Sequence, residues 1–167
     1  MKGRFSIACI ILILICMSVQ ANDSHIVGGE ITYKCLGNDN YEITIAIYED
    51  CLTGLPEAIA QDDPAYINIF DDHGVAVFQN DIGMPTYDSI FLLSRILVPT
   101  NFSNACIDNP PATCLRKAVF VKKYHLPTNA SGYTVIYQRC CRNASILNIV
   151  NPSTVGATYS CYIPPQR

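Results

Sequence analysis

The chain has 167 residues, half of them hydrophobic, with 11 basic and 14 acidic side chains and a formal net charge of −3. Nine cysteines stand against three histidines and no tryptophan. No basic cluster exceeds the pair Lys122-Lys123, which argues against nucleic acid as a partner.

Residues 1–21 read as a secretory signal peptide. Lys2 and Arg4 supply its positive start, Ile7 to Met17 an apolar core of 11 residues, and Val19-Gln20-Ala21 small residues at the cleavage positions. A membrane span needs about 20 apolar residues, so this core is short for an anchor, and no second apolar stretch or stop-transfer cluster follows. Cys16 raises lipidation as an alternative, but Leu14-Ile15 lacks the small residues that usually precede a lipidated cysteine. Cleavage leaves 9 basic and 14 acidic residues, a balance of about −5. The mature chain is expected to be secreted or displayed at the cell surface, with no stable membrane span. Residues 22–163 are read as one domain, large enough for its own core, and 164–167 as the start of a linker or a truncated end.

The mature sequence reads as strands and turns. Ile31 to Cys35 and Tyr41 to Tyr48 flank the turn signal Gly37-Asn38-Asp39-Asn40, with Ile43, Ile45 and Ile47 alternating onto one face. This register puts Cys35 opposite a residue near Tyr41, and Gly28-Gly29 predicts a bulge or bend early in the first strand. Leu52 to Asp63 reads as a loop. Ala65 to Phe70 and Val75 to Phe78 form a second hairpin, closed by Gly74 in the left-handed region. Ser89 to Val98 is one apolar run ended by Pro99. Strand patterns return at Lys117 to His125, Tyr133 to Cys141 and Ala157 to Ile163, and Ser145 to Val150 is either a short strand or a helical turn. About eight short strands with turn chemistry between them predict an all-β fold, an antiparallel immunoglobulin-like β-sandwich stapled by disulfides.

Seven cysteines follow the signal: Cys35, Cys51, Cys106, Cys114, Cys140, Cys141 and Cys161. In an exported chain these are expected to be oxidised, and the odd number leaves one over. Zinc is the competing reading, but there is no close Cys-x-x-Cys pair and no His-x-x-x-His. Alternation along a strand points Cys140 and Cys141 to opposite faces, so they are not expected to bond to each other. Cys106 with Cys114 closes a short loop worth about 2.5 kcal/mol in the chain-entropy estimate. Joining Cys35 or Cys51 to Cys140 or Cys141 closes longer loops worth about 4.5 kcal/mol each. Cys161 is the candidate odd thiol.

Catalytic chemistry has little to build on. His25, His73 and His125 sit in no nucleophile or carboxylate signature, so the chain is read as not an enzyme and needing no cofactor. Glu49-Asp50, Asp62-Asp63 and Asp71-Asp72 read as solvated turns. A lone calcium around Asp62–Asp72 is the alternative, although no Asp-x-Asp-x-Asp-Gly loop is present. Among ten tyrosines, Tyr48, Tyr66 and Tyr159 are candidates for stacking sugar rings, against a reading as core residues. Asn22, Asn101, Asn129 and Asn143 each begin an Asn-x-Ser sequon, relevant only in a eukaryotic cell.

Three segments share a wider pattern. His25-Ile26-Val27-Gly28-Gly29-Glu30-Ile31-Thr32-Tyr33, Tyr48-Glu49-Asp50-Cys51 and Tyr137-Gln138-Arg139-Cys140-Cys141-Arg142-Asn143 resemble the N-terminal regions of large Bacteroidetes surface proteins of the gliding-motility-associated C-terminal-domain type. The resemblance covers about His25 to Ile163. It implies β-sandwich modules exported by type IX secretion, with further modules and a sorting domain following; this sequence stops at Arg167 without them. Cys161 stands outside the six-cysteine pattern of that group, and the resemblance carries over no catalytic residue. The expected function is thus a non-enzymatic structural or adhesive module of a surface protein, linked to gliding motility or adhesion, presenting loops such as Leu52–Asp63 and Asn101–Thr113. Its ligand, a surface glycan or a protein, is left open. The alternative is a carbohydrate-binding module, calcium-assisted or not. A row of exposed tyrosines favours the sugar reading, and a fully buried set favours the structural one.

Overall fold

The computed structural model of the chain describes residues 25–99 and 112–165. Asn38 and Asp39 adopt φ of 50° and 59° after Gly37 at 87°. Two consecutive positive φ angles make a tight turn whose twist matches the flanking strands. It joins β1 (Ile26–Gly37) to β2 (Asn40–Asp50), and Cys35 stands opposite Tyr41 as the hairpin register predicted. The expected early irregularity is a register shift between Ile26 and Gly28. Gly29 has a packing reason as well. A Cβ there would sit 2.9 Å from the Tyr159 ring and 3.0 Å from Ile47, so only glycine lets β1 approach so closely.

The remaining strands are β3 (Ala65–Phe70), β4 (Asp88–Ile90), β5 (Leu92–Val98), β6 (Leu115–His125), β7 (Tyr133–Arg139) and β8 (Ala157–Ile163). They form two antiparallel four-stranded sheets, ordered β1-β2-β6-β5 and β4-β3-β7-β8. Lettered A, B, C, C′, D, E, F and G in chain order, the strands give A-B-E-D facing C′-C-F-G, the immunoglobulin-like arrangement. The turn between β6 and β7 carries a second mark of that fold. Tyr133, first residue of β7, donates its hydroxyl back to the Pro127 carbonyl at 2.6 Å, as in a tyrosine corner.

The core lies between the sheets. Ile43, Ile45 and Ile47 of β2 share the core with Ile67 and Ile69 of β3, all fully buried, with Phe120 beside the first set on β6 and Val135 and Tyr137 beside the second on β7. Each such side chain contributes about 1.5–3 kcal/mol of burial.

Three expectations change. The apolar run Ser89–Val98 is two strands, because the chain changes sheets at Phe91. Asp88–Ile90 pairs with β3, while Leu92–Val98 pairs with β6, leaving Phe91 70 % exposed between them. Val75–Phe78 makes only the isolated bridge Phe70↔Ala76, since the chain turns again and forms a second bridge, Gln79↔Pro85. Gly74 does take a φ of 72°. Within Leu52–Asp63 lies a short helix, α1 (Pro56–Ala60), which buries Ala58 and Ile59. Residues 145–150 form turns, not a strand. Among the described residues, no helix is long and apolar enough to cross a membrane.

Candidate functional site

The three signature segments meet at one end of the sandwich. Asp50 at the end of β2 donates its amide to the His25 carbonyl at 2.7 Å, and the Asn143 amide donates to the Ile26 carbonyl at 2.9 Å. The start of β1 is thereby held between β2 and the segment after β7. Beneath it, Asp62 is 2 % exposed and accepts from His25 Nε2 at 2.5 Å and from Arg139 Nε at 2.6 Å. Glu49, fully buried, accepts from Arg95 Nη2 at 3.0 Å, and Arg116 Nε lies 3.6 Å from its second oxygen. A buried carboxylate is tolerable only with such partners.

Asp50 completes this joint. Burial works to raise its pKa, but hydrogen bonds from the Thr53 hydroxyl, the Thr53 and Leu52 amides and the Asn143 side chain outweigh burial and hold it below the ordinary carboxylate value. At the other end, burial of Asp88 is likewise outweighed by hydrogen bonds from Lys122 Nζ and the Tyr124 hydroxyl. That contact links β4 of one sheet to β6 of the other. Burial, with the Asp88 charge, raises the Tyr124 pKa, and burial followed by the Asp62 charge raises that of Tyr137.

The disulfides differ from those expected. Cys51 bonds to Cys114, with Cα atoms 5.0 Å apart. The cause is register. Asp50 pairs with Leu115, so the next residue on each side brings the two cysteines together, and the Cys51 amide donates to the Cys114 carbonyl at 3.0 Å. Cys114 is therefore not available to Cys106, which lies outside the described residues. Cys140 bonds to Cys141, their Cα atoms 3.1 Å apart across a cis peptide. Strand alternation does not separate them because β7 ends at Arg139. No strut runs from Cys35 or Cys51 to Cys140 or Cys141. Cys35 is exposed on β1, an edge strand. Cys161 carries a free, half-buried thiol on β8, and burial raises its pKa.

The candidate ligands for calcium are dispersed. Asp62 is sealed in its ion pairs, and one Asp63 oxygen accepts from the Leu92 amide at 2.9 Å. Asp71, Asp72 and His73 offer three ligand atoms within 4.8 Å of one another. One Asp71 oxygen, however, accepts the His73 and Val75 amides of its own turn. The sequons also divide. Asn143 is 1 % exposed and hydrogen-bonded, whereas Asn129 bonds to its own loop; Asn22 and Asn101 lie outside the described residues. Of the two loops expected to present a ligand surface, Leu52–Asp63 is tied down by Ile59, whose carbonyl accepts from Arg95, and 101–111 is not described.

A larger groove than the one beside Asp50 lies elsewhere, on the outer face of the β4-β3-β7-β8 sheet. Because Ile67 and Ile69 point inward, alternation sends Tyr66, Asn68 and Phe70 outward. Asn68 stands opposite Ile136 of β7, with Gln138 on the same face. These five side chains and Tyr87 line a groove of about 580 Å³, within the roughly 300–1,000 Å³ of small-ligand sites. Tyr66 is 55 % and Tyr87 72 % exposed. Of the tyrosines proposed from sequence, only Tyr66 lies here. Tyr48 donates to Glu30 on the other sheet, under Lys117, and Tyr159 stacks on buried Tyr137 at 6.2 Å. Tyr87 was missed, since Tyr87 follows a turn and belongs to no alternating run.

No family model, curated protein or solved structure matches the chain.

Proposed function

We propose that the chain is a non-enzymatic, extracellular binding module with an adhesive role, and that its ligand surface is the outer face of the β4-β3-β7-β8 sheet. The groove carries this reading. Its two exposed tyrosine rings and two side-chain amides sit on or beside hydrogen-bonded strands, which hold them more rigidly than loops would. Tyr41, Tyr124 and Tyr137 fill the core, while Tyr66, Tyr87 and Tyr162 lie exposed. The core therefore does not consume the whole tyrosine set, as a purely structural module would. The signal-like start and the resemblance to exported surface proteins support display outside the cell. The test is retention of the oxidised chain on surface polysaccharide and on intact cell-surface material. Tyr66→Ala/Tyr87→Ala should abolish retention, whereas Lys117→Ala on the opposite sheet should leave it unchanged. Equal retention of all three proteins would overturn the proposal.

A further inference from the structure

We infer that the groove takes a neutral saccharide chain, an inference that rests on the outer sheet face being the ligand surface. None of the six residues lining the groove carries a charge near neutral pH, and none offers the guanidinium or ammonium that a uronate, sulfate or phosphate would need. What they offer matches the two surfaces of a pyranose. Tyr66 and Tyr87 present large apolar rings at little entropic cost, since a tyrosine has only two side-chain torsions to fix. The C–H faces of a sugar ring stack on such rings, and the hydroxyls project from its edge.

The amide side chains of the same groove supply the hydroxyl readers. Asn68 Oδ1 is shut off from solvent and accepts no hydrogen bond from any described residue, so it meets a ligand hydroxyl only when the side-chain amide turns toward the groove. A buried acceptor left unpaired costs stability, so a turn of the amide that lets a ligand hydroxyl donate to it recovers that cost on binding. The same logic sets specificity: a site with such an acceptor discriminates against a ligand lacking the donor. Gln138 stands beside it, its Nε2 donating to Thr158 Oγ1 at 3.2 Å, which leaves its carbonyl oxygen for a second hydroxyl. The outer face continues across β8 with Thr158 and Ser160, paired to Gln138 and Ile136, and both are exposed. Their hydroxyls extend a neutral polar track away from the stacking platforms, suited to a chain of sugars more than to a single ring.

The experiment titrates the full, oxidised chain calorimetrically with neutral hexasaccharides of glucose, mannose and N-acetylglucosamine, and with alginate and heparin oligosaccharides as acidic probes. At least one neutral probe should bind, with an affinity that does not change between low and high salt. Tyr66→Ala, Tyr87→Ala and Asn68→Ala should each weaken that binding about tenfold without lowering the thermal midpoint of the protein. Binding confined to the acidic probes, or binding that falls with salt, overturns the inference. Suppose instead that no probe binds, yet periodate-treated cell-surface material still retains the wild type and loses it with Tyr66→Ala. The face then binds protein: the inference fails and the binding-module reading stands. If the tyrosine variants bind as the wild type does, both fail together.

Discussion

Asp62 shows how much one side chain can hold in this molecule. It is nearly sealed from water and joins His25, ahead of β1, to Arg139 at the end of β7. Removing one partner of a buried ion pair strands the other, at a cost of about 3–5 kcal/mol. Asp62→Ala should therefore destabilise the protein by that amount in urea unfolding, and Asp62→Ala/Arg139→Met should recover part of the loss. A single-variant cost below about 1 kcal/mol would show that the pair contributes little more than a surface bridge. Residues of the three segments that resemble exported surface proteins contact one another in this joint. His25, Glu49, Asp50, Arg139 and Asn143 come from three distant segments and gather around the start of β1.

At the scale of elements, the Cys51–Cys114 bond extends the β2–β6 ladder by one step. It closes a loop with a sequence separation of 63, worth about 4 kcal/mol in the chain-entropy model. Cys51→Ala/Cys114→Ala should lower stability by about that much under non-reducing conditions. Non-reducing peptide mapping should recover the Cys51–Cys114 link. It should also find the tryptic peptide from Cys140 to Arg142 lighter by two hydrogens than its reduced form. A Cys106–Cys114 link would overturn this pairing. The sheet crossing at Phe91 is an element-scale decision too. β4 and β5 follow each other with one residue between them yet pair in different sheets.

For the whole molecule, two carboxylates near the rim of the sandwich contribute to the response to acid. Asp88 spans the two sheets and Asp50 ties β2 to the segment after β7, and both have lowered pKa values. A group whose folded pKa lies below its unfolded value stabilises the fold fully above the unfolded pKa, here about 3.9. That stability is lost as pH falls through the lowered folded value. The thermal midpoint should accordingly hold steady from about pH 7 to 5 and fall below about pH 4, with Asp88→Asn showing a shallower fall. A midpoint that rose in acid would contradict the linkage.

Local chemistry alone was enough for much of this fold. The Gly37–Asn40 turn, the alternation of Ile43, Ile45 and Ile47 and the Gly28-Gly29 irregularity each depend on backbone preferences within a few residues, and each was legible in the sequence. The two-sheet class followed from the same short-range patterns repeated along the chain. Tyr66 was legible as a stacking candidate because its strand alternates; Tyr87 was not, since it reaches the groove only through the path of the chain between β3 and β4. Disulfide partners, the split of the Ser89–Val98 run and the convergence of the signature motifs depend on which strands lie side by side and in what register. Pairing is a long-range choice, set by burying apolar faces against one another over dozens of residues of separation. Only the tertiary structure decided it.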